Sequence, residues 1–314
     1  MAKSRFSVVF FGTPELAVPF LHEFAAHPRF DVKAVVTQPD RPAGRKHLLT
    51  PPPVKIAAEE LRLIVHQTAS LKKNQALQKI LEGYQVDLCI AVAIGLLLPL
   101  SVLKIPRAGT INMHPSLLPK FRGPSPVQSA ILADEKITGI SVMLLDEGMD
   151  TGPILKQMRL PIGEKDTTES LYAQIQHHGP RLLSETALGY LENAFKPTPQ
   201  DDSLATQTFL LKKTDGKIDW RQDAASIARM VRAFVPWPGA YFEWQDQKID
   251  ILQAEFSEKR PKPPGYIFEN AGHVFVATGK GSLKLKVVKP SGKKAMSIDE
   301  FVRGRPGFVG SSLS

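Results

Sequence analysis

The chain has 314 residues, 43% of them apolar, which gives room for two domains and excludes a disordered protein. No apolar run reaches the roughly 18–20 residues of a membrane-spanning helix, and one cysteine, Cys89, excludes an internal disulfide and suits a reducing cytoplasm. The net charge of +9 is uneven: residues 1–209 carry 22 basic and 20 acidic side chains, whereas residues 210–314 carry 18 and 11. That basic C-terminal excess suits a polyanion such as nucleic acid, or simply a Lys-rich soluble surface.

Met1–Arg5 leads straight into an apolar segment and is expected to be no signal peptide. Ser7–Phe11 reads as a strand, Gly12-Thr13-Pro14 as a turn, and Leu16, Phe20 and Phe24 recur at helical spacing. Val32–Val36 is a second strand. Gln38–Pro53 then breaks the rhythm with five prolines and the basic residues Arg41, Arg45 and Lys46, and is expected to be a long functional loop without secondary structure of its own. Val54–Leu61 reads as helix, Leu63–His66 as strand and Leu71–Leu81 as helix. Asp87–Ala93 is continuously apolar, as a strand covered on both faces must be. Thr110–Met113, Ile140–Leu145 and Ile154–Leu160 are further strands, and a long helix follows, for which Asp166 and Glu169 have capping-box spacing. This alternation predicts an α/β domain with a parallel, Rossmann-like sheet over residues 1–194. Ligands of such sheets gather at the C-terminal ends of the strands.

Residues 195–208, with Pro197 and Pro199, read as a linker. Beyond it a helix over Ala224–Phe234 precedes about five short strands between Ala240 and Val288, separated by Gly and Pro turns, which predicts a small OB-like β-barrel over residues 209–314. Trp237 and Trp244 are expected to pack that barrel. His177-His178 lies on a helix without a third ligand at metal spacing, so no metal site is expected.

Two segments carry chemistry. In Asn112-Met113-His114-Pro115-Ser116-Leu117-Leu118-Pro119, period-two spacing puts the Asn112 amide and the His114 imidazole on one face of a strand that ends in a proline-stiffened loop. In isolation His114 reads first as a cap on the strand or a partner of a loop carbonyl, and the segment as a whole reverses that reading. In Asp146-Glu147-Gly148-Met149-Asp150-Thr151-Gly152 three carboxylates sit in a turn; this is either an ordinary acidic turn or the place from which Asp150 orients His114. Acyl transfer to an amine needs a proton acceptor and an oxyanion stabiliser, and Asn112, His114 and Asp150 supply both without a metal.

Together the two segments resemble the signature of the folate-dependent formyltransferases. Thr37–Arg45, Arg122-Gly123, Ile218-Asp219-Trp220, Arg232–Gly239 and Gly292–Met296 resemble the branch of that family acting on methionyl-tRNA. The resemblance implies a two-domain enzyme that takes a formyl group from 10-formyltetrahydrofolate and delivers it to methionyl initiator tRNA, acting as a cytoplasmic monomer. It implies that Asn112, His114 and Asp150 are catalytic. It further implies that Ser116, Leu117, Leu118 and Pro119 border the folate, that Leu96, Leu97 and Leu98 help enclose its pterin, and that Arg41, Arg45 and Lys46 meet the tRNA. Leu96–Leu98 read equally well as core. Ile94 stands where relatives often carry an aromatic residue, so that wall of the pocket is expected to differ. The alternatives are a formyltransferase for a small amine, such as a purine precursor or amino sugar, and a non-catalytic RNA-binding protein. A dinucleotide-dependent oxidoreductase is disfavoured because Gly12 stands alone where G-X-G-X-X-G would be required.

Overall fold

The structure is a computed structural model and describes residues 5–44, 48–194, 196–258 and 262–313. It divides into two compact units. The first comprises Met1–Gly123, Ile137–Pro161 and Tyr172–Gln207; the second comprises Pro124–Lys136, Ile162–Leu171 and Thr208–Ser314. Among the described residues no helix is long and apolar enough to cross a membrane.

In chain order the first unit contains β1 (Phe6–Gly12), α1 (Val18–Ala26), β2 (Phe30–Thr37), β3 (Arg41–Ala43), β4 (Leu48–Thr50), α2 (Pro53–Glu60), β5 (Val65–Gln67), α3 (Gln75–Gly83), β6 (Leu88–Val92), α4 (Leu100–Leu103) and β7 (Thr110–His114). After α5 (Pro126–Leu132), which belongs to the second unit, come β8 (Ile137–Leu144) and β9 (Ile154–Pro161). The seven-stranded sheet runs β5-β2-β1-β6-β7-β8-β9. Its first five strands are parallel, and β8 and β9 are antiparallel. The order reverses between β1 and β6, where an open α/β sheet leaves a crevice for ligands.

Both faces of the parallel part are covered. On one, Val9, Phe11, Ala34, Val36, Cys89 and Ala91 pack beneath Leu77 and Leu81 of α3 and Val102 and Leu103 of α4. On the other, Phe10 meets Phe24 of α1, whose ring is in turn tilted against that of Phe30. Cys89 lies in this core, as its apolar strand suggests, and burial pushes its thiol up to about 12. The long helix α6 (Thr168–Leu191) is capped differently from the expected Asp166/Glu169 box. Thr167 Oγ1 accepts from Ser170 N and Ser170 Oγ accepts from Thr167 N, one residue along, while Asp166 Oδ2 holds Gly163 N.

The 38–53 segment also departs from the expectation. It is not free of secondary structure: β3 and β4 pair antiparallel, with Arg41 opposite Thr50. Two strands of three residues are too short to produce a periodic signal. The base of this hairpin is tied down. Lys55 Nζ binds both oxygens of Asp40 at 2.9 and 3.0 Å, Gln67 Nε2 donates to Asp40 Oδ1 at 2.7 Å, and these two donors hold the Asp40 carboxyl below its ordinary range.

The second unit contains α7 (Ala224–Phe234), capped by Asp223, followed by β10 (Ala240–Trp244), β11 (Gln247–Ser257), β12 (Ile267–Asn270), β13 (His273–Ala277), β14 (Ser282–Pro290), β15 (Met296–Ser297) and α8 (Ile298–Arg303). The sheet is antiparallel in the order β10-β11-β14-β13-β12, with β15 on β14. The register of the long β11 against β14 shifts between Ile251 and Ala254, as at a β-bulge. Its core is aromatic: Trp220, Phe242, Trp244, Phe301 and Phe308 contact one another edge-on or stacked. Trp244 packs there as expected and donates to Ser311 Oγ. Trp237, expected to pack there too, is instead 46% exposed, in the Pro-rich turn between α7 and β10.

Candidate active site

Three strand ends converge at the reversal point of the sheet. Thr13, just after β1, donates its hydroxyl to the Ile94 carbonyl beyond β6 at 2.8 Å. Gln38, just after β2, donates to the same carbonyl at 2.9 Å and to Gly95 O at 3.2 Å. Gly12 permits this crowding, since a Cβ there would lie 2.7 Å from the Phe10 ring and 3.2 Å from Val92 O. Strand β7 ends beside them. Asn112 pairs with Ala91 of β6 and Met143 of β8, and His114 pairs with Ser141.

The alternation of β7 puts Asn112 and His114 on the same face, with Met113 buried on the opposite one. The Asn112 amide is half-buried and makes no side-chain hydrogen bond among the described residues. His114 is 4% exposed and both ring nitrogens face oxygen. Nε2 lies 2.9 Å from the Phe121 carbonyl. A carbonyl only accepts, so Nε2 carries the proton and, in the neutral ring, Nδ1 carries the lone pair. Nδ1 lies 3.5 Å from Asp150 Oδ2, longer than a good hydrogen bond but close enough for that carboxylate to stabilise charge on the ring. The same Oδ2 accepts from Gly123 N at 2.8 Å. The structure thus brings Asn112, His114 and Asp150 together, and it adds a partner that sequence spacing does not reveal, the Phe121 carbonyl.

The Pro115–Pro119 bend is held from strands β8 and β9. Ser141 Oγ donates to Ser116 O at 2.7 Å and accepts from Leu118 N at 3.0 Å; Gln157 Nε2 donates to Leu118 O at 2.9 Å and to Ser141 Oγ at 2.8 Å. Ser116 Oγ donates to Lys120 O, so this buried serine is committed to the bend itself. Leu118 is buried, Leu117 and Pro119 are partly exposed, and Leu117 presses on Gly139, where a Cβ would come within 2.5 Å of its Cδ2.

The Asp146–Gly152 turn is built by its own polar groups. Asp146 Oδ1 accepts from Gly148 N and Thr151 Oγ1, which marks Asp146 as structural, and Asp150 sits at a φ of 57°, a region that Asp tolerates better than most residues. Gly152 is required by close approach: a Cβ there would lie 1.8 Å from the Leu144 carbonyl. Gly152→Ala is expected to lower stability by about 1–3 kcal/mol, as overpacking against rigid backbone does. Urea unfolding measures this; an unchanged midpoint would contradict it.

The remaining sequence candidates separate. Leu98 is core, Leu96 packs against that core, and Leu97 is 75% exposed. Arg41 is exposed on β3, while Arg45 and Lys46 lie outside the described residues. Sequence reading missed the segment after α6. Gln200 Nε2 donates to the carbonyls of Asp150 and Gly152, and its Oε1 accepts from Arg122. Thr206 Oγ1 accepts from Phe121 N. A polar, proline-containing stretch carries no periodic signal of such long-range partners.

Comparison with known proteins matches residues 5–187 to the family model "Formyl transferase" and residues 210–306 to "Formyl transferase, C-terminal domain". The chain is 41% identical to the methionyl-tRNA formyltransferase of Herpetosiphon aurantiacus over 95% of its own length and 97% of that protein's. Among solved structures, HypX from Aquifex aeolicus in complex with tetrahydrofolic acid is similar at 18% identity with a TM-score of 0.63; it covers 98% of this chain, which spans about half of that longer one, 48%. An N-formyltransferase from Helicobacter canadensis, in complex with folinic acid and dTDP-3-aminofucose, is similar at 17% identity with a TM-score of 0.65, over 90% of this chain and 98% of that one. At these identities the two structures bear on the fold alone.

Proposed function

Since this chain belongs to the formyl transferase family and, within it, to the methionyl-tRNA formyltransferases, we infer that its site moves a formyl group from 10-formyltetrahydrofolate to the α-amine of methionyl initiator tRNA. The observation that carries the reading is the meeting of Asn112, His114 and Asp150 at the C-terminal end of β7, in the crevice where the strand order reverses.

The chemistry has one requirement for charge and one for protons. As the amine nitrogen bonds to the formyl carbon, the carbonyl oxygen gains negative charge, and Asn112 offers an amide donor to it. The amine must lose one proton, and the departing N10 nitrogen must gain one. His114 Nδ1 holds the lone pair that can take the first and return the second. While the ring is protonated, Nε2–H remains on Phe121 O and Nδ1–H faces the Asp150 carboxylate, so neither donor is left without an acceptor. The Ser116–Pro119 bend borders the folate, with Leu117 and Pro119 its partly exposed members. Of the residues beyond β6, Leu97 is exposed and placed to meet the pterin, whereas Ile94 and Leu98 are core and Leu96 packs against them.

The acceptor end of the tRNA is assigned to the β3–β4 hairpin. Arg41 is exposed there, and Leu48 and Leu49 are 64% and 70% exposed, an unusual outlay of apolar surface that suits contact with nucleic-acid bases. Lys284 and Lys286 alternate with the buried Leu283 and Leu285 on β14 and so share one face of the second unit, where they suit phosphates. Arg41→Ala is expected to raise KM for methionyl-tRNA roughly 10-fold, about 1.4 kcal/mol, and to leave KM for the folate unchanged. A loss confined to folate binding would refute the assignment of the hairpin. The reading as a whole is tested by transfer of labelled formyl from 10-formyltetrahydrofolate to methionyl initiator tRNA, with free methionine and an amino sugar as competing acceptors. Formylation of the small amines in preference to the tRNA would overturn it.

A further inference from the structure

We propose that Gln200, fixed by Arg122, is a positioning residue that sets the main chain of Asp150, and that the segment from Gln200 to Thr206 thereby tunes His114 from both sides. The proposal rests on the roles of His114 and Asp150 inferred above. Gln200 Nε2 donates to Asp150 O at 2.9 Å and to Gly152 O at 2.7 Å, spanning the end of the turn that carries the carboxylate. Gln200 Oε1 accepts from Arg122 Nε at 3.1 Å and Nη2 at 2.8 Å. Arg122 is almost completely buried and is also paired with Asp202 Oδ1 at 2.7 Å, so the amide is held at both ends.

The same segment grips the opposite partner of His114. Thr206 Oγ1 accepts from Phe121 N at 2.8 Å, and Arg122 N donates to Thr206 O at 2.9 Å. Phe121 is the residue whose carbonyl receives His114 Nε2–H. Just before it, the chain is pinned by the paired bonds between Ile154 and Thr198, both 2.8 Å. One stretch of chain therefore fixes the acceptor behind Nε2 and the carboxylate before Nδ1. An amide suits position 200 because it combines two N–H donors with an acceptor. A carboxylate keeps the Arg122 contact but turns acceptors toward two carbonyls.

The test uses the full chain, with 10-formyltetrahydrofolate and methionyl initiator tRNA as substrates. Gln200→Glu and Gln200→Leu are each expected to lower kcat about 10–100-fold, the range for a small misplacement of a catalytic group, with both KM values within about threefold. Coupling supplies the readout that a merely structural role would not move. In an Asp150→Asn background, adding Gln200→Glu is expected to cost less than about threefold, because residues acting as one unit are not additive. Gln200→Asn is expected to recover less than Gln200 itself but more than Gln200→Glu. Full multiplication of the Asp150→Asn and Gln200→Glu losses, a rise in KM with kcat unchanged, or wild-type kcat in both Gln200 variants would each overturn the proposal. So would failure of both variants to fold, which would make the amide purely structural. Full activity in Asp150→Asn alone would instead refute the role of Asp150.

Discussion

His114→Ala is expected to lower kcat for formyl transfer by about 10²–10⁴-fold, the usual worth of a positioned acid–base group, with the KM values for folate and tRNA within about threefold. The ring is 4% exposed, with Nε2–H on Phe121 O and Nδ1, 3.5 Å from Asp150, the one nitrogen left to exchange a proton, so it contributes little surface to either substrate. Its loss removes the proposed proton acceptor and strands the Phe121 carbonyl, which adds a destabilisation of about 1–3 kcal/mol. Single-turnover kinetics separate the two effects, since chemistry falls while the folded fraction in buffer remains near one. Equal losses in chemistry and in tRNA affinity would contradict the assignment. His114→Gln restores a polar group near Phe121 O without a titratable lone pair, and is expected to regain stability but not rate.

Asn112→Ala is expected to lower kcat about 10²–10³-fold, roughly 3–4 kcal/mol of barrier, as removal of one oxyanion donor does. The amide makes no side-chain hydrogen bond among the described residues, so its removal orphans no protein group. The expected change in unfolding midpoint is correspondingly small. Asn112→Asp tests sign as well as presence: a carboxylate facing a developing oxyanion should be at least as damaging as Ala. If Asn112→Ala instead raised KM for the folate with kcat intact, Asn112 would be a ground-state ligand and the oxyanion would need another donor. Taken with the His114 series, the two substitutions divide the barrier between charge stabilisation and proton transfer. In the proposed mechanism these groups act on one transition state, so their losses are expected to combine less than additively.

The Asn112/His114 pair was legible because a strand imposes a period of two, and Asn112-X-His114 needs nothing beyond that local geometry to share a face. The core strands were legible for a related reason: Asp87–Ala93 is apolar throughout because helices cover both faces of the sheet. The hairpin of β3 and β4 was not, since three residues per strand are too few to show alternation. The cap of α6 fell on Thr167 rather than Asp166, because two residues of the same capping chemistry stood side by side and the fold had other work for Asp166 at Gly163 N. Leu96-Leu97-Leu98 could be read as core or as pocket, and the fold split the run, burying Leu98 and exposing Leu97.

From residue order alone came the α/β domain followed by a basic antiparallel domain, the Asn112/His114 face and the Asp150 turn, all of which rest on periodicity, turn chemistry and charge within short windows. The long-range partners came only with the folded chain: the Phe121 carbonyl that sets the tautomer of His114, Ser141 and Gln157 beneath the Ser116–Pro119 bend, and Gln200 across the end of the Asp150 turn. The reason is physical. A buried carbonyl or amide must find a partner somewhere, but which of many polar groups meets it, 50 residues away in the case of Gln200 and Asp150, is decided by topology and close packing and leaves no trace in local spacing.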